Sequence, residues 1–260
     1  MKTFNIIWII CMFFSNIQAN EIKKLSANLS SPVGMAFDSK GVLYISNWSS
    51  GEIKIWKDDK LAIFIKNIQS PTGLAIDKQD RLYIATYSDG KIYRVDKNKN
   101  IEVFISGLSV VAGLYFDFQG NLLVSERGKG RVLSITPDKK IKVLVEKGLN
   151  TPVGAIQVSK DNFVISDITG FVYIFNQKNK ELKLISDKLN APAIGLVLDK
   201  KDKKSVYVVD YEGYGIYNIL LNGKSTTMIE KTLQSPVALS MDKTGKIFIG
   251  TWSDNSLYSY

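Results

Sequence analysis

The 260-residue chain contains no histidine. That absence excludes Ser-His-Asp and Cys-His chemistry, histidine–zinc sites and any mechanism that needs an imidazole base. Cysteine occurs once, at Cys11, so neither an internal disulfide nor a thiolate metal cluster can form. No segment of useful length repeats its apolar residues with the 3.6-residue period of a helix. What remains is an ordinary globular balance of 45% hydrophobic and 23% charged residues, which argues against a disordered chain. The length suits one large domain or two small ones.

Residues 1–19 read as an export signal. Lys2 gives a positive start, Phe4 to Phe14 is apolar apart from Asn5, and Ser15-Asn16-Ile17-Gln18-Ala19 is a polar exit ending on a small residue. The apolar run is short for a membrane span. A periplasmic or secreted location is expected. After cleavage no cysteine is left, so stability must come from the core.

Internal repetition is the dominant signal. Ser31-Pro32-Val33-Gly34-Met35-Ala36-Phe37-Asp38 returns as Ser70-Pro71-Thr72-Gly73-Leu74-Ala75-Ile76-Asp77. Val111-Ala112-Gly113, Thr151-Pro152-Val153-Gly154, Ala191-Pro192-Ala193-Ile194-Gly195 and Ser235-Pro236-Val237-Ala238 open four more copies. The glycines at 34, 73, 113, 154 and 195 are 39, 40, 41 and 41 residues apart. An Asp-led turn follows in most units, such as Asp38-Ser39-Lys40-Gly41, and then alternating β-rich runs such as Val42-Leu43-Tyr44-Ile45. Each unit therefore predicts four short antiparallel strands, A to D. A lone four-stranded sheet cannot cover both its faces, whereas six arranged radially cover one another. The expected fold is all-β: a single six-bladed β-propeller over residues 20–260. The last unit stops after strand C, and Ile22 to Pro32 matches a strand-D segment, so the N-terminal strand is expected to complete the sixth blade.

The Pro-x-Gly-apolar-Ala-apolar-Asp…Gly-x-Leu-Tyr-apolar unit resembles the NHL repeat and its relatives in gluconolactonase-like (SMP-30-like) and streptogramin-lyase-like propellers. The resemblance implies the fold and leaves the activity open, because this architecture hosts lactonases, lyases and pure binding modules. It implies one divalent cation on the axis for a lactonase, with ligands just before the strand-A glycines and a Glu before the first proline. Here those positions are Val33, Thr72, Ala112, Val153, Ile194 and Val237, with Ser31 before Pro32. None is a carboxylate. Streptogramin-lyase-like chemistry implies a histidine, which the chain lacks.

Antiparallel order puts the A–B and C–D turns on one face of the disc and the B–C and D–A loops on the other. The first face is rich in lysine, including Lys40, Lys57, Lys60, Lys78, Lys200 and Lys243, and carries much of the formal net charge of +9. A weak association with an anionic surface is one reading of that face, and a solvated face with interspersed aspartates is the other. No nucleic-acid partner is expected.

The second face has a different character. The pairs that end strand B are Asn47-Trp48, Thr86-Tyr87, Glu126-Arg127, Asp167-Ile168, Asp210-Tyr211 and Thr251-Trp252. The first positions place Glu126, Asp167 and Asp210 on three successive blades, with Asn47 across the ring. These four are the candidate metal ligands, and Ca²⁺ the candidate ion, because carboxylate and amide oxygens suit a hard cation. Equally, such residues can simply cap the turn. The second positions supply Trp48, Tyr87, Tyr211 and Trp252, with Arg127 beside Glu126 as an expected ion pair. These five are the candidate ligand-binding residues, because flat rings stack on sugars or cations and anchor protein partners.

Two functions follow. The first is an exported, monomeric binding module that takes a protein, carbohydrate or small-molecule ligand on the B–C/D–A face. The alternative is a divalent-cation-dependent lactonase or esterase with a displaced metal site. Whether the chain is an enzyme stays open at this point, and no catalytic residue is assigned.

Overall fold

Proline starts the innermost strand of most repeats: Pro32, Pro71, Pro152, Pro192 and Pro236 each stand first in a strand, where a missing N–H is tolerated. An aspartate follows the same strand in most of the repeats and builds the next turn. Asp38 Oδ1 accepts the N–H groups of Lys40 and Val42, both at 2.9 Å. Asp77, Asp117 and Asp242 do the same for the residues two and four positions on. Gly41, Gly120 and Gly245 close these turns at φ of 83°, 85° and 91°, a region that costs glycine little. In the second repeat Asp80 takes that left-handed position instead, at φ 59°.

The computed structural model describes residues 21–260; the export signal expected at residues 1–19 lies outside the described residues. The first strand is β1 (Lys23–Ser26). Blade 1 contains β2 (Pro32–Phe37), β3 (Leu43–Asn47), β4 (Glu52–Lys57) and β5 (Lys60–Ile65). Blade 2 contains β6 (Pro71–Ile76), β7 (Leu82–Thr86), β8 (Ile92–Val95) and β9 (Ile101–Ile105). Blade 3 contains β10 (Val111–Phe116), β11 (Leu122–Glu126), β12 (Arg131–Ile135) and β13 (Ile141–Val145). Blade 4 contains β14 (Pro152–Gln157), β15 (Asn162–Asp167), β16 (Phe171–Asn176) and β17 (Glu181–Ser186). Blade 5 contains β18 (Pro192–Leu198), β19 (Ser205–Asp210), β20 (Gly215–Leu220) and β21 (Thr226–Glu230). Blade 6 contains β22 (Pro236–Met241), β23 (Ile247–Thr251) and β24 (Ser256–Ser259). A single 3₁₀ turn, Arg127–Lys129, is the only helical element among the described residues.

The six sheets are four-stranded and antiparallel, and β1 is the fourth strand of blade 6, paired with β24 through Lys23↔Ser259 and Lys24↔Tyr258. The expected six-bladed propeller, closed by the N-terminal strand, is thus the fold observed. Tyr258 and Lys24 both bond Asp254, at 2.6 and 3.0 Å, and Asn255 holds the backbone N–H groups of Leu29 and Ser31, so the seam is tied by side chains as well as by the ladder.

The core lies between the blades. Six apolar clusters fill the six interfaces, one each. Alternation along β7 shows how one strand serves two of them: Leu82 and Ile84 pack toward blade 1, while Tyr83 and Ala85 pack toward blade 3. All four are buried, which is what a sheet covered on both faces requires. Each large aliphatic side chain so buried is worth roughly 1.5–3 kcal/mol.

Candidate functional site

The six residues that end strand B are fully buried (0% exposed): Asn47, Thr86, Glu126, Asp167, Asp210 and Thr251. A buried carboxylate must find donors, and each finds them within its own blade, in the loop that leads into strand A. Asp210 accepts the N–H groups of Asn190 and Ala191, both at 2.8 Å. Asp167 takes Asn150 and Thr151 N–H at 2.8 and 2.9 Å with one oxygen, and Thr169 with the other. Glu126 accepts Ser109 N–H at 2.8 Å, and Asn47 accepts Ser30 N–H at 2.8 Å. Thr86 and Thr251 instead donate to Asp89 and Asp254, three residues on.

The expected sharing of a cation by Glu126, Asp167, Asp210 and Asn47 meets a geometric obstacle. Their oxygens point into four separate loops, and no group of three or more Asp, Glu, Cys or His side chains able to hold a metal occurs among the described residues. The pre-glycine positions offer no substitute: Val33, Ala112, Val153 and Val237 are buried and apolar, and the Thr72 hydroxyl donates to Val111 O at 3.0 Å. This donor set does not fit a calcium ion, which needs six or more converging oxygens.

Arg127 does not pair with Glu126. The partners of that carboxylate are Arg131, at 2.5 Å from Oε2, and Lys129, at 3.8 Å from Oε1. Arg131 was not singled out in the sequence; it stands directly opposite Glu126 across the β11–β12 ladder, and that register was the available signal. Arg127 turns to the neighbouring blade, where its guanidinium lies 6.0 Å from the Tyr87 ring centroid.

The aromatic positions do come together. Trp48 and Tyr87 meet edge to face at a centroid distance of 4.8 Å, and Tyr211 and Trp252 at 5.8 Å. The Trp252 indole N–H donates to Pro32 O of blade 1 at 2.8 Å. Five successive blades, 5, 6, 1, 2 and 3, thus carry an arc of positions, Tyr211, Trp252, Trp48, Tyr87 and Arg127, in which the two ring pairs are joined through the Trp252 bond to Pro32 O. All five are partly exposed. The backbone under them is fixed by one repeated bond. In every blade the N–H of this position donates to the carbonyl of the residue before strand A or its equivalent, as in Trp48 to Ser31, Tyr87 to Ser70 and Trp252 to Ser235, at 3.0, 3.1 and 3.0 Å.

Beside three of these rings the sequence places serine on both sides of the bond. Ser31 and Ser49 hydroxyls lie 2.8 Å apart, Ser235 and Ser253 2.9 Å, and Ser70 and Ser88 3.3 Å.

The axis itself is tight at this end. A Cβ on Gly34, Gly73 or Gly113 would stand 2.3–2.4 Å from the pre-glycine carbonyl of the next blade, so these glycines permit the close approach of neighbouring inner strands. Ile194 leans across from blade 5 and comes within 3.2 Å of that point at Gly113 in blade 3. Below this constriction an axial cavity of about 760 Å³ is walled by apolar strand-A side chains. Every loop residue lining it belongs to an A–B or C–D turn: Asp38, Gly41, Asp58, Asp59, Lys200 and Asp242 to Thr244. The cavity therefore opens on the lysine-rich face, away from the aromatic arc. Two lysines at that mouth join neighbouring turns. Lys200 donates to Met241 O and Asp242 O at 3.0 and 2.7 Å, and Lys243 to Ser39 O at 2.5 Å. Burial lowers the Lys200 ammonium pKa against the pull of Asp242.

Fold and site together define a six-bladed β-propeller with an aromatic loop face. Among solved structures it is similar to a gluconolactonase from Xanthomonas campestris (TM-score 0.80, 15% identity, covering 92% of this chain and 88% of that one). It is also similar to virginiamycin B lyase from Staphylococcus aureus (0.68, 17%, 92% and 87%) and to a chain of a nidogen/laminin complex (0.72, 18%, 81% and 86%). At these identities the likeness establishes the fold that the repeat unit resembled. No protein-family model and no curated protein matches the sequence.

Proposed function

We infer that this chain is an exported ligand- or protein-binding module that works through the B–C/D–A face of its propeller. The single observation that carries the reading is the arc of four partly exposed rings and one guanidinium on five successive blades. Large rings exposed side by side on a rigid scaffold are the usual anchors of recognition. The backbone bonds beneath them fix their positions before any ligand arrives, which lowers the entropic cost of binding. The carboxylates that a cation-dependent lactonase would need are already bonded to loop amides, so no hydrolytic step is assigned to them. Export is proposed from the charged, apolar and small-residue segments of residues 1–19.

The test is capture from an envelope extract on immobilised protein, comparing the native chain with Trp48→Ala/Trp252→Ala. The double variant is expected to lose capture while keeping a cooperative melt. Equal capture by a folded double variant would refute the reading.

A further inference from the structure

Serine pairs accompany three of the four rings of the arc. Blades 6, 1 and 2 have Trp252, Trp48 and Tyr87, and the same three blades have the hydroxyl pairs Ser235–Ser253, Ser31–Ser49 and Ser70–Ser88. Where the ring is replaced, the serine pair is replaced too: Arg127 goes with Val110 and Gly128, and Ile168 with Thr151 and Thr169. Blade 5 keeps a ring, Tyr211, but has Ala191 and Glu212 in place of the serines, so the ring and the serine pair occur together only in blades 6, 1 and 2. The fold does not require this match, because the bond that holds the loop is made by backbone atoms in all six blades.

The three serines that follow the rings, Ser49, Ser88 and Ser253, are exposed. A hydroxyl carries one donor and two acceptor sites, so each bonded pair keeps outward capacity to donate and to accept. A flat ring beside such a pair complements a pyranose, which offers an apolar C–H face and vicinal hydroxyls. The carboxylates beside the three rings do not call for a cationic ligand. Asp89 is engaged by Thr86 and Lys91, and Asp254 by Thr251, Tyr258 and Lys24. Three equivalent units on consecutive blades match a ligand that repeats.

We propose that the arc binds a linear carbohydrate, with blades 6, 1 and 2 each holding one segment of the sugar chain through a ring and its adjoining serine pair. This rests on the reading of the aromatic arc as the recognition surface and adds the ligand class to it.

Calorimetric titration with linear oligosaccharides of glucose, of N-acetylglucosamine and of a uronic acid, one to six units long, tests the proposal. One series is expected to bind, with affinity rising from monomer to trimer and then levelling as the three units fill. Ser49→Ala/Ser88→Ala/Ser253→Ala is expected to weaken that binding roughly ten- to a hundredfold, the loss of several hydrogen bonds, at an unchanged melting temperature. Affinity that does not grow with chain length, or that the serine variant leaves intact, overturns the proposal. If no series binds at millimolar concentration while capture from the extract still depends on Trp48 and Trp252, the carbohydrate assignment fails and the recognition surface stands. If capture ignores the tryptophans as well, both fail.

Discussion

Ala238 faces Gly250 across the β22–β23 ladder, the reverse of the glycine-first arrangement elsewhere, as in Gly154 opposite Ser166. The sixth repeat alone has lost its strand-A glycine, and the space is recovered on strand B. A Cβ on Gly250 would lie 3.1 Å from Ala238 Cβ and 3.0 Å from Pro32 Cβ and Cγ of blade 1. The pair sits at the seam where the ring closes. Gly250→Ser is therefore expected to destabilise by about 1–3 kcal/mol through overpacking. Ala238→Gly in the same chain should recover part of that loss. Urea denaturation of the three variants checks both steps.

The buried strand-B carboxylates act as staples. Asp210→Ala strands the amides of Asn190 and Ala191 without an acceptor and should cost about 2–4 kcal/mol. Asp210→Asn, which keeps one acceptor oxygen, should cost less. Neither change is expected to alter ligand capture by the remaining folded protein. Chemical denaturation beside a binding assay separates the two readouts.

Asp254 links ring closure to pH. Burial would raise its carboxyl pKa, but hydrogen bonds from Thr251, Tyr258 and Lys24 prevail and hold it well below the usual carboxylate range. A group with a depressed folded pKa stabilises above its unfolded value, about 3.9, and loses that contribution as pH falls through the folded one. Asp254→Asn should thus melt a few degrees lower than the native chain at pH 7. The gap should narrow steadily below about pH 4. Parallel melting curves from pH 7 to pH 2 measure it, and a gap that widens in acid would contradict the assignment.

The fold was legible because its determinants are local and repeated. Pro32, Gly34 and Asp38 each perform a backbone task that recurs every 40 or so residues, and period-2 alternation fixes which side chains enter each interface. The aromatic arc was legible for the same reason, since Trp48, Tyr87, Tyr211 and Trp252 occupy one repeat position. The hydrogen-bond partners of Glu126, Asp167 and Asp210 were not. Residue type and spacing place these groups on neighbouring blades but say nothing of where their oxygens point, and in the structure those oxygens accept amides of the preceding loop. The Arg131 partner of Glu126 depended on exact cross-strand register.

Tryptophan fluorescence tests the central claim most directly. Among residues 21–260 the tryptophans are Trp48, Trp56 and Trp252, and Trp56 lines the cavity that opens on the other face. In a Trp56→Phe chain spanning residues 21–260 all indole emission comes from the arc. Titration with the captured ligand is predicted to shift that emission saturably, with a midpoint equal to the calorimetric one. Calorimetric binding with no change in the emission would place the recognition surface elsewhere and contradict the account.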